Sequence, residues 1–142
     1  MDGGEIIGVR RAARFDIPRL VEIARRAYFD WPVDWTAVSV WLHGHIEHPD
    51  IFICLEDSAA SIAVLSKWIQ IIGAPSKTEA LVPYIAGQVW GAARCLRATA
   101  AWAQARGAER LRVDAETGID LGPLVKRLGR AFSETPSYSV RL

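Results

Sequence analysis

From Glu79 to Ala115 the spacing of apolar residues changes twice. Glu79-Ala80-Leu81-Val82-Pro83-Tyr84-Ile85-Ala86 is an apolar run of strand length, closed by Gly87. From Ala92 the period lengthens towards four. Ala92, Leu96, Ala100 and Ala103 fall on one helical face, and Arg94, Arg97 and Gln104 on another. Gly107 stands where a helix C-cap glycine belongs. In 110–115, Leu111, Val113 and Ala115 alternate with Arg110, Arg112 and Asp114, the pattern of a strand with one face in a core. The stretch therefore predicts a strand over 79–86, a glycine turn, a helix over 89–106 and a parallel strand over 110–115, a βαβ unit.

The flanking sequence supplies the other elements. Ile6 to Arg10 reads as a strand. Asp16 is a candidate N-cap and Pro18 fits a first helical turn, so a helix is expected over 16–29, with Leu20, Val21, Ala24, Ala27 and Tyr28 as its apolar stripe. An aromatic loop, Asp30 to Trp35, leads into a helix over 36–48 that turns Val38, Trp41, Leu42 and Ile46 inward. Ile51–Leu55 and Ser61–Trp68 read as a hairpin around the turn 56–60. A short helix over 121–128 and closing strands at 132–134 and 137–142 complete the chain. The fold class is α/β (α+β): a mixed, mostly antiparallel sheet of six to seven strands with helices on both faces.

The 142 residues are 51% hydrophobic and 23% charged, which points to one globular domain, 1–142. A net charge of +1 gives no electrostatic case for nucleic acid or a membrane surface as partner. Met1 to Glu5 lacks the basic start of a signal peptide, so a cytoplasmic location is expected. Cys54 and Cys95 fall within a predicted strand and helix, as buried thiols rather than a disulfide framework. Six tryptophans leave room for an aromatic interface, and a homodimer is one expected partner arrangement. His43, His45 and His48 lie close in sequence, but only His45 and His48 share a helical face and no third ligand completes a set. They read as solvated or capping residues, and no metal is expected.

The glycine turn is where chemistry is expected. A helix start presents unpaired N–H groups and the positive end of the helix dipole, so it favours an anion, and the small Gly91 and Ala93 permit close approach. Gln88-x-x-Gly91-x-Ala93 between a strand and a long helix resembles the (Gln/Arg)-x-x-Gly-x-(Gly/Ala) signature of the GNAT acetyltransferases. The opening is similar to that family too, with its strand, Arg11-Ala12-Ala13 segment, Asp16-Ile17-Pro18 and amphipathic helix. So is the predicted order of elements across nearly the whole chain.

The resemblance implies an acetyl-CoA-dependent N-acetyltransferase acting on a primary amine of a small molecule or peptide. The alternative is a GNAT-like domain without catalysis, serving in binding or assembly. It implies that acetyl-CoA lies between splayed strands, contacting Val82, Pro83 and Tyr84, with its pyrophosphate at Gln88, Val89, Trp90, Gly91, Ala92 and Ala93. It places Trp31 and Trp35 on the acceptor groove, where a plain structural role for both rings stays open. Glu79 matches an acidic position that holds the general base in several members, and Tyr138 is the nearest substitute for the general acid, with Tyr84 also open. The chain differs from the commoner form of the family in three places. Gln88, Val89 and Trp90 leave the loop without a basic residue, Pro83 has no N–H for the cofactor arm, and Val125 stands at a tyrosine position.

Overall fold

The computed structural model describes residues 8–68, 77–114 and 121–129. They form a five-stranded sheet in sequence order: β1 (Val9–Arg11), β2 (Ile51–Glu56), β3 (Ala59–Trp68), β4 (Lys77–Gly87) and β5 (Arg110–Val113). All neighbours are antiparallel except β4 and β5, which run parallel with Glu79 to Val82 beside Arg110 to Val113. Helices α1 (Ile17–Ala27) and α2 (Trp35–His45) cover one face, and α3 (Val89–Ala105) and α4 (Leu121–Lys126) the other. The mixed, mostly antiparallel class is as the sequence predicts, with five strands described against six or seven. The strands expected at 132–134 and 137–142 lie outside the described residues. Among the described residues, no helix is long and apolar enough to cross a membrane.

The burial of β2 follows from its composition. Ile51, Ile53 and Leu55 pack under α1 and α2, while Phe52 and Cys54 pack under α3, so a continuous apolar run serves two cores. Cys54 and Cys95 are free, buried thiols that meet at the seam between β2 and α3. The contact with Cys95, then burial, pushes the Cys54 thiol well above its ordinary range.

Most elements begin or end within a few residues of the sequence reading, and two local differences have a clear physical cause. The β2–β3 turn is only Asp57-Ser58, because Glu56 pairs with Ala59 and belongs to the ladder. Asp16 precedes α1, but its side chain makes no cap bond to that helix. The Arg10 guanidinium grips its carboxylate through two contacts of 2.5 Å, and the Ala13 amide donates to it at 2.7 Å. A charged bidentate partner outcompetes a neutral helix-end amide. The helix α3 does end as predicted. Gly107, at φ +81°, lets its own amide reach Gln104 and that of Ala108 reach Ala103, closing a Schellman motif.

Hydrogen bonding by Arg10 holds the buried Asp16 carboxyl below its ordinary range. A depressed carboxyl stabilises the fold above its unfolded value of about 3.9, and that contribution is lost as pH falls through the lower folded value. We predict that Asp16→Asn costs about 1–2 kcal/mol near neutral pH, a figure discounted for the half-exposed Arg10. Urea unfolding should show the two proteins converging as pH falls through and below the unfolded carboxyl value. A gap that stays constant with pH would contradict this account.

Candidate functional site

The site is built on the end of β4. Its ladder with β5 stops at Val82 beside Val113, with the Asp114 amide donating to the Val82 carbonyl at 3.1 Å. Strand β4 continues to Gly87, paired with β3. At the point where β5 leaves, the β3–β4 register shifts, because Ile62 faces Tyr84 while Val64 faces Leu81. Val82 and Pro83 thus form a bulge opposite Ala63. A bulge is one of the few places in a sheet that accepts a residue without an N–H, which explains how Pro83 fits. Among the described residues, β4 has a one-sided edge from Pro83 onward.

The edge runs directly into α3. Gly87 takes φ +112°, and a Cβ on it would stand 2.1 Å from the Ser58 carbonyl oxygen. The Gln88 amide donates to that same oxygen. The first helical bond runs from the Ala92 amide to Gln88, and Gln88 offers no side-chain cap. The amides of Val89, Trp90 and Gly91 precede that bond, so the helix start presents the donors an anion needs.

Small residues at this turn also serve the packing of the helix on the sheet. Gly91, Ala92 and Ala93 are buried towards the sheet. A Cβ on Gly91 would stand 1.9 Å from the Glu56 carboxylate and 2.4 Å from the Ser58 hydroxyl. Gly91 is therefore small enough to let the helix sit on the β2–β3 turn, while Val89 and Trp90 face outward and are exposed. Glu56 is itself buried, accepting bonds from the Ser58 amide and hydroxyl at 3.2 and 2.9 Å and from Arg94 at 3.3 Å. A carboxylate beside a helix N-terminus complements the dipole. Sequence reading misses it, because Glu56 falls in the expected turn 56–60. A basic side chain does lie against this turn. The Arg127 guanidinium, just after α4, lies 3.6 Å from the centre of the Trp90 ring.

On the opposite face, α1, α2 and strands β2 to β4 enclose a cavity of about 600 Å³. Tyr28, Trp31, Trp35, Trp41 and Tyr84 contribute aromatic rings, and Leu20, Leu42, Ile53 and Ile62 aliphatic walls. Trp31 packs edge-on against Tyr28 at 5.0 Å, and Arg25 lies 5.6 Å from the Trp35 ring. The structure thus joins Trp31, Trp35 and Tyr84 around one space, and places Gln88 to Ala93 at the helix start.

Glu79 lies apart from both. It is half-buried beside Ser66 and Arg110 on the cavity's side of the sheet, about 10 Å of strand before Val82. Asp114 is the nearer carboxylate. Register puts it on the same face, immediately past the last β4–β5 pair. Its alternation with Arg110 and Arg112 read as a solvated strand face, and only the point where the ladder ends reveals its position. Tyr138 lies outside the described residues. The histidines are engaged locally, His45 Nδ1 with the Trp41 carbonyl at 2.8 Å and His48 Nδ1 accepting from the Asp50 amide at 3.0 Å. Among the described residues there is no group of three metal ligands.

The sequence matches no protein-family model and no curated protein. Solved structures do match. A protein from Arthrobacter sp. FB24 assigned as an acetyltransferase aligns with a TM-score of 0.71 at 14% identity, over 100% of this chain and 99% of its own. The apo aminoglycoside 6'-N-acetyltransferase AAC(6')-IG from Acinetobacter haemolyticus aligns at 0.68 and 14%, over 96% and 99%. The aminoglycoside N-acetyltransferase AAC(6')-Iy, solved with CoA, aligns at 0.65 and 14%, over 94% and 93%. At such identities the likeness is one of fold, and the fold is that of the GNAT acetyltransferases.

The packing of Gly91 gives a direct test. We predict that Gly91→Ala costs about 1–3 kcal/mol by overpacking against Glu56. In a Glu56→Asp background, where the carboxylate is shorter, the same change should cost less. Denaturant unfolding of the four proteins measures the coupling, and additive costs would show that Glu56 is not the obstacle.

Proposed function

We propose that the protein is a divergent GNAT member, an N-acetyltransferase that moves the acetyl group of acetyl-CoA to a primary amine. The observation that carries this reading is a strand that outruns its parallel partner at a bulge and feeds straight into an uncapped helix start. That arrangement fits a pantetheine arm lying along β4 at Val82, Pro83 and Tyr84. It fits a pyrophosphate at the amides of Val89, Trp90 and Gly91, flanked by Gln88 and by Arg127. Ala92 and Ala93 support that helix start from the core side.

In such a transfer the amine nitrogen bonds to the thioester carbonyl carbon, the carbon–sulfur bond breaks, and the sulfur leaves as a thiol after gaining a proton. The amine proton needs an acceptor on the acceptor's side of the sheet. Glu79 is one candidate, acting through water, and Asp114 is the other, placed closer to the bulge. Tyr138 is carried from the sequence as the proton donor to sulfur. Trp31 and Trp35 are proposed to contact the acceptor.

Calorimetric titration with CoA and acetyl-CoA tests the cofactor site. We expect saturable binding that Arg127→Ala weakens about tenfold, the size of one lost charge-assisted contact. No heat at millimolar ligand would refute the reading. With an acceptor in hand, replacing the base by its amide should lower turnover about 10² to 10⁴-fold and leave CoA affinity unchanged. Glu79→Gln and Asp114→Asn, measured separately, identify which carboxylate serves. Full turnover in both would exclude both.

A further inference from the structure

We propose that the acceptor is a primary amine on an apolar, ring-bearing body, bound in the cavity between α1, α2 and the sheet. This inference rests on the acetyltransferase reading and names the substrate class of that site. The cavity of about 600 Å³ is walled by five aromatic rings, and no Asp, Glu, Lys, Arg or His lines it among the described residues. A polycation such as an aminoglycoside or a polyamine would leave several ammonium groups desolvated there without a carboxylate, which is costly. An apolar body gains from burial in proportion to its area, and a ring gains further from edge and offset contacts with Trp31, Trp35 and Tyr28. The volume suits a body of one or two rings.

The position of the cavity fixes the direction of binding. Its walls reach β4 at Tyr84, one residue past Pro83, where β4 has lost β5. The body lies inward, towards Leu42 and Ile53, and the amine at the Tyr84 end faces the bulge. Apolar surroundings also favour the neutral form of an amine over its ammonium form. The free base is the form that attacks a thioester, so the walls that select the body also prepare its nitrogen. The fold is shared with aminoglycoside acetyltransferases, and the difference in acceptor would lie in these walls.

The experiment uses the full chain with acetyl-CoA and follows release of the CoA thiol. Tryptamine and 2-phenylethylamine are compared with spermidine and kanamycin. The aromatic amines should show kcat/KM at least about 10²-fold higher. Trp31→Ala, on an exposed loop where folding is little affected, should raise KM for tryptamine about tenfold or more, as expected for losing one large ring contact, with CoA affinity unchanged. Ala24→Phe, which fills the cavity, should do the same. Higher activity on spermidine or kanamycin overturns this inference and leaves the acetyltransferase reading standing. So does tryptamine turnover insensitive to both variants. Binding is read independently from quenching of tryptophan fluorescence by 2-phenylethylamine. Saturable quenching, lost in Trp31→Ala, with no thiol released from any amine, would sink the acetyltransferase reading and with it the role of acceptor. Absence of quenching overturns the cavity assignment.

Discussion

The contact between the start of α3 and the β2–β3 turn is the constraint on which the candidate site depends. Ser58 accepts the Gln88 amide, Gly87 has no room for a side chain above Ser58, and Gly91 has none above Glu56. Two glycines and one buried carboxylate thus fix where the helix begins and how close it comes to the sheet. The amides of Val89, Trp90 and Gly91, which precede the first helical bond, point back along the helix axis past its start. Arg94 neutralises Glu56 at the same spot, so the charge that stabilises the packing is not left to repel an incoming phosphate. The geometry of the candidate site is therefore maintained by packing on the inner side of the turn.

The two faces of the sheet divide the work. Under α3 small residues, Ala59, Ala63, Ala92, Ala93 and Cys95, stand among larger ones such as Phe52, Ile85 and Leu96, which lets the helix lie close at its start and run straight out of a strand. Under α1 and α2 the side chains are large and the fit is loose enough to leave a cavity. The bulge at Val82-Pro83 lies where these environments meet, since it keeps Val82 and Ile85 inward on the α3 side while Tyr84 faces the cavity. One extra residue in one strand thus sets which side chain borders which space.

Much of this was legible in sequence, for reasons that can be stated. The period change at Ala92, the alternation of Arg110 to Val113 and the glycine at 107 are local signals, and each element formed as they predict. What escaped reading was relational. Glu56 looked like a turn residue because its partner, Gly91, lies far along the chain. Asp16 looked like a helix cap because Arg10 as a competing partner is not visible in a cap motif. Asp114 looked like one more outward charge, and only the end of the β4–β5 ladder distinguishes it. The Gln88 loop has no basic residue of its own, and Arg127, which stacks on Trp90, follows α4 more than thirty residues along the chain. Spacing along the chain gives the elements, whereas function here arises where elements meet.

The thiols of Cys54 and Cys95 lie in that same α3–sheet seam, both buried and both free. With both side chains fully buried, alkylating reagents cannot reach them while the seam stays closed. Any modification must then wait for α3 to lift from β2. Under conditions where closing outpaces the reagent, the rate of labelling reports the population of that opened state, in the way amide exchange does. The chain thus carries an intrinsic gauge of how often its helix detaches, placed against the element that begins at the Gly87–Gly91 turn.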